Sequence, residues 1–194
     1  MKSIFFRGYG PFLLLLALSI TACRKEKPTA PPSGGQPVEQ ELITTLILHF
    51  HSMDSSEHKM FTFRDLDGEG GQPPTIDVEQ LTAGTVYHVH VEVLDESQTP
   101  VMDITQEIEE EGDHHQFFYH VSGVGITIAY DDEDEDGLPI GLRTLWMVGD
   151  AGSGTVVVSL RHDPDKLAPG VGDGDITNAG GDTDIEVDFP VTVQ

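Results

Sequence analysis

The chain has 194 residues, with 34 acidic side chains against 10 basic ones and a formal net charge of −24. That balance excludes a protein that tracks nucleic-acid phosphates and disfavours adsorption to anionic lipid, while it suits cations and basic partners. A single Cys excludes an internal disulfide framework and any multi-Cys zinc site, and 38% hydrophobic residues in a chain of this length are enough for one packed core.

Lys2 and Arg7 precede a short apolar run, residues 12–18, which is too short to span a bilayer. The run closes on Ile20-Thr21-Ala22-Cys23, which resembles a bacterial lipobox. Residues 1–22 therefore read as a lipoprotein signal peptide and Cys23 as the lipidation site rather than a catalytic thiol; an ordinary signal peptide with an incidental Cys is the alternative. Residues 23–38 carry Arg24, Lys25 and Lys27 and then a Pro- and Gly-rich stretch, a semi-flexible tether with a reach of roughly 20–30 Å. These basic residues are not an acidic surface-export signature, which favours an outer-membrane anchor facing the periplasm. Residues 39–194 are expected to form the folded domain.

Within that domain strand patterns dominate. Leu42 to Phe50 sets Leu46, Leu48 and Phe50 on one face and Ile47, His49 and His51 on the other. Met60 to Phe63 is a second short strand, and Thr85 to Leu94 alternates Val86, His88, His90 and Glu92 against Tyr87, Val89, Val91 and Val93. One short helix is expected over Asp103 to Glu111, with Asp103 and Gln106 as a capping box and Glu109-Glu110-Glu111 at the unfavourable end of its dipole. Gln116 to Val121 and Gly125 to Tyr130 are expected to pair around Ser122-Gly123. Leu142 to Val148, Thr155 to His162 and Asp184 to Val193 complete the set, with Gly152-Ser153-Gly154 as a hairpin turn. Short strands punctuated by turns predict an all-β single β-sandwich, immunoglobulin-like. Trp146 and the run Phe117-Phe118-Tyr119 read as core.

Two residue classes offer chemistry. Asp132, Asp134 and Asp136, followed by Gly137, fit the first half of a calcium loop, where alternate carboxylates converge on a hard cation. Arg143 stands where an EF-hand needs its bidentate Glu, so a complete EF-hand is excluded, and a solvated acidic turn is the other reading. Asp65, Asp67 and Glu69 repeat the pattern more weakly, as good turn formers also would. Nine His are present. His49 with His51, and His88 with His90, are H-x-H pairs on strands, which places both rings of a pair on one face roughly 6–7 Å apart. That spacing suits zinc or copper, although His also occupies polar strand faces without a ligand. If the two strands are neighbours, four His and Glu92 share one surface; His114, His115 and His120 lie near the next strand. The acidic stretches 173–175 and 182–184 are a further ligand source that the sequence does not place. No nucleophile elbow, Walker A loop, dinucleotide fingerprint or H-E-x-x-H occurs, so an enzyme and an organic cofactor are not expected.

Behind the lipobox, the segments Phe63 to Gly71, His115 to Tyr119, Gly137 to Leu142, Leu160 to Pro164 and Gly172 to Phe189 together resemble a family of small Bacteroidota-type cell-envelope lipoproteins. The resemblance covers most of residues 42–193 and carries no catalytic residues. It implies a place beside an outer-membrane TonB-dependent receptor, and hence capture or delivery of a cargo. The expectation is a lipid-anchored envelope module that binds a divalent metal. The alternative is an adhesion or interaction module for a protein or glycan partner, with only a structural metal or none.

Overall fold

A computed structural model describes residues 42–68 and 70–194. The signal peptide, Cys23, the tether of residues 23–38 and Glu69 lie outside the described residues. The fold comprises β1 (Thr45–Ser52), β2 (His58–Arg64), β3 (Thr75–Val78), β4 (Val86–Asp95), β5 (Met102–Asp103), α1 (Thr105–Glu110), β6 (His115–Ser122), β7 (Ile126–Tyr130), β8 (Arg143–Val148), β9 (Gly152–His162) and β10 (Asp182–Val193). The expected all-β sandwich is what forms. One antiparallel sheet runs β3-β2-β1-β4-β8-β7, with β5 on the end of β4, and a second runs β10-β9-β6. Among the described residues no helix is long and apolar enough to cross a membrane.

The period-two pattern decides which side chains are buried. Leu46, Leu48 and Phe50 of β1, Tyr87, Val89, Val91 and Val93 of β4, and Trp146 of β8 all point inward. They meet Phe117 of β6, Val156, Val158 and Leu160 of β9, and Val187, Phe189 and Val191 of β10. Aromatic rings fill the centre: Phe50 lies 4.6 Å from Phe61, 5.0 Å from Trp146 and 5.8 Å from Tyr87, the last two edge-on.

Three local expectations are corrected. The segments around Ser122-Gly123 do not pair with each other: β6 pairs with β9 and β7 with β8, so the chain crosses between sheets there. The physical reason lies in the first half of β6, which is buried on both faces. Phe117 enters the main core while Phe118 packs under Val171 and Ala179 of the excursion between β9 and β10. Gly152, Ser153 and Gly154 are not a turn but the first three residues of β9. A Cβ at Gly154 would overlap the carbonyl oxygen of Ser122 and lie 2.7 Å from Val124 N. Gly154→Ala is therefore expected to lower stability by about 3 kcal/mol, the upper end of overpacking costs, as read by urea denaturation. The capping box at α1 also does not form. Ile104 is the N-cap residue and makes no side-chain cap bond, while Asp103 accepts instead from Thr105 N at 3.0 Å and Gln106 turns to Glu110.

Candidate functional site: two imidazole clusters

β1 sits between β2 and β4, so the two H-x-H pairs do meet. His49 faces His90 and His51 faces His88 across one ladder, and on the other side His51 faces His58 and His49 faces Met60. All of these occupy the outer face of the larger sheet, opposite the core residues that alternate with them. Four rings form a tight set: His51–His58 4.4 Å between centroids, His49–His90 4.6 Å, His51–His90 5.3 Å and His49–His58 6.1 Å, all within 17° of parallel. His88 is not among them. Its ring lies 3.5 Å from the Asp131 carboxylate beyond β7, and His58 takes the place expected for it.

The hairpin joining β1 to β2 sets the His51–His58 register. Asp54 accepts from Ser52 Oγ at 2.7 Å, Ser56 Oγ at 2.6 Å and Ser56 N at 3.0 Å, and those bonds hold its carboxyl down to about 2. Glu57 is pinned in turn by the Tyr87 hydroxyl at 2.6 Å and the Thr82 hydroxyl at 2.9 Å. At the other corner His49 Nε2 donates to Glu92 at 2.9 Å. Partial burial, and then the neighbouring rings, push His51 and His90 below the ordinary imidazole value. Both therefore favour the neutral form that ligates a metal.

In the acidic loop, Asp132 and Asp134 have partners within the chain. Asp132 accepts from the backbone N–H groups of Gly141 and Arg143, each at 2.7 Å. Asp134 accepts from Asp136 N at 3.0 Å and Leu138 N at 2.9 Å through one oxygen and from Lys166 Nζ at 2.8 Å through the other. The Lys166 ammonium also donates to the carbonyls of Pro139, at 3.0 Å, and Gly112. The chain's own ammonium thus supplies the positive charge expected of calcium, and the side chains of Lys166 and Asp134 are 4% and 2% exposed. Asp136 is exposed and lines an open acidic cleft with Glu109, Glu110, Asp113 and Glu133. In the weaker loop, Asp65 caps Gly68 N and Asp67 caps Gln72 N, which is turn chemistry.

A second cluster, spread over three strands, escaped the sequence reading. Among the described residues one group brings three metal-ligating atoms within 4.8 Å of one another: His115, His162 and Asp184. His115 opens β6 and His162 closes β9, where the two are paired in register. The only sequence signals were the His114-His115 doublet and the acidic 182–184 stretch, and no pattern connects either to His162. Around the group, His114 Nδ1 donates to Asp163 Oδ1 at 2.6 Å. That bond raises the His114 ring and holds the Asp163 carboxyl below its ordinary value. Burial pushes His115 down.

The fold and its polar groups define an all-β sandwich with an imidazole cluster on each sheet. Comparison with family models, with curated proteins and with solved structures finds no match.

Proposed function

We propose that this protein is a lipid-anchored envelope module that captures a divalent transition metal, copper or zinc, on the imidazole face of its larger sheet, as an accessory to an outer-membrane uptake system. The carrying observation is the set of four rings, His49, His51, His58 and His90, with neighbouring centroids 4.4–6.1 Å apart. As the rings stand they are stacked; rotation about the Cβ–Cγ bonds turns nitrogens from adjacent rings toward a shared ion. Met60, directly across from His49 and exposed, adds a thioether as a further donor, and divalent copper outranks zinc at imidazole sites. The net charge of −24 raises the local concentration of cations. An exposed face of this kind suits loading and release. The Lys2-to-Cys23 leader supports the lipid anchor, and the envelope-lipoprotein resemblance supports the receptor as partner.

The test is copper(II) or zinc(II) titration of the full chain beside a His51→Ala, His90→Ala double variant, followed by calorimetry. Removing two of four donors is expected to weaken binding at this face by at least about 100-fold, using about 1.4 kcal/mol per tenfold. Equal affinity in a folded double variant would sink the reading. One observation favours a second reading, in which this face docks a protein or glycan: Met60, Val86 and Met147 are exposed on the same surface. Recovery of a receptor or glycan by a chain that binds no metal would decide for it.

A further inference from the structure

We propose that His115, His162 and Asp184 form a second, half-buried metal site for a zinc-class divalent ion, at the end of the smaller sheet and independent of the imidazole face. Three strands converge to build it. His115 and His162 face each other across the β6–β9 ladder, and Asp182 lies across from His162 on the β10 side. The β9–β10 register shifts between Thr183 and Ile185, a bulge that places the Asp184 carboxylate toward the two rings. Asp184 Oδ2 lies 4.0 Å from His115 Nε2 and 3.9 Å from His162 Nδ1. Both separations exceed hydrogen-bonding range. The three ligating atoms lie within 4.8 Å of one another; ligands bound at about 2.0–2.1 Å around a tetrahedral ion stand roughly 3.3 Å apart, so the Asp184 pairs close by under about 1 Å and no pair by more than about 1.5 Å.

The other nitrogen of His115 is placed as a metal-bound imidazole requires, and that of His162 faces a carboxylate just beyond hydrogen-bonding range. His115 Nδ1 donates to the Glu111 carbonyl at 3.1 Å, which fixes the tautomer with Nε2 as the ligating atom. His162 Nε2 lies 3.7 Å from Asp163 Oδ2, and Asp163 is anchored by His114 through a side-chain bond at 2.6 Å and a backbone bond at 2.7 Å. Asp163 adopts φ +51, a left-handed conformation uncommon outside glycine, and its carboxylate sits between His114 and His162. The His115 and Asp184 side chains are 9% and 10% exposed and His162 is 23% exposed, so the group is walled on one side and reachable from the other. Two imidazoles and one carboxylate leave a coordination position for water or an exogenous donor, and they suit zinc, cobalt(II) or iron(II) over calcium. Neither the acidic loop nor the imidazole face contributes a ligand.

The test uses the full chain, stripped with EDTA and titrated with cobalt(II) as a spectroscopic probe and zinc(II) as its competitor. The expected result is one equivalent of cobalt(II) with tetrahedral or five-coordinate visible absorption, displaced by zinc(II), and retained when His51 and His90 are both alanine. His162→Ala or Asp184→Asn is expected to weaken this equivalent by at least tenfold. NMR of the unaltered chain supplies a readout that needs no variant: zinc(II) should shift the ring resonances of His115 and His162. Unchanged affinity in folded His162→Ala and Asp184→Asn chains, or ring resonances that zinc(II) leaves in place, would overturn the site. Loss of metal only in the His51→Ala, His90→Ala chain would overturn it as well, while leaving the imidazole-face reading standing.

Discussion

Lys166→Met is expected to lower the unfolding free energy by about 3–5 kcal/mol, the cost of stranding one member of a buried ion pair. The change removes the ammonium that pairs with Asp134 and donates to the Gly112 and Pro139 carbonyls. Asp134→Asn alone should cost a similar amount, because the ammonium is then buried against neutral acceptors. The double variant should recover much of the loss, since Asn keeps an acceptor for Asp136 N and Leu138 N. The pH dependence carries a sign that checks the assignment. Burial pushes the Asp134 carboxyl up, but the Lys166 ammonium and the two backbone N–H groups outweigh it and hold it below its ordinary 3.8. A depressed carboxyl contributes stability that is present above pH 3.8 and is lost as pH falls through the folded value. The gap between wild type and Lys166→Met, measured by urea melts at stepped pH, should therefore be full at neutral pH and narrow below pH 3.8. A gap independent of pH would show that the ion pair is not what the substitution removes.

Phe50→Ala is expected to cost about 3–5 kcal/mol, the usual range for deleting a buried aromatic ring. Its neighbours explain why little relaxation can close the void. Phe61, Tyr87 and Trp146 surround the ring from three different strands, and each is itself fully buried. The residue lies between His49 and His51, so the same substitution loosens the strand that spaces the outer imidazoles. Metal affinity at that face should fall in step with thermal stability. Phe50→Leu keeps most of the apolar volume and should move both quantities less. A stable Phe50→Ala chain with unaltered affinity would argue against a rigid β1 as the support of the face.

Alternation made much of this fold legible. Eight of the ten strands lie where patterned segments stand, because a half-buried strand must show apolar and polar residues in turn. β3 was missed because all four of its residues are exposed and it follows Pro73-Pro74, and β5 because it is only two residues long. Partner choice was less legible. Proximity in sequence argued for pairing β6 with β7, yet what cannot be seen locally is that residues beyond Asp163 return to cover Phe118. The same limit applies to the sites. H-x-H spacing identified His49, His51 and His90, whereas His58 enters through a hairpin register set by Asp54, and His88 leaves toward Asp131. The acidic loop resembled a cation site because its spacing records carboxylates and not their partners. A lone Lys in a distant loop gives no sign that it will be buried among them. His115, His162 and Asp184 meet only through two ladders and a bulge, none of which leaves a periodic trace.

The central position of β1 also determines how the domain bears mechanical load. Any pull on the chain ahead of Thr45 reaches the fold through this strand, which is bonded along seven register pairs to β2 and eight to β4. Tension along its axis is shared in shear by two ladders at once, whereas a strand at the sheet margin would peel away one bond at a time. A domain held ahead of Thr45 would thus be gripped at a strand bonded on both sides, the strand that also carries His49 and His51.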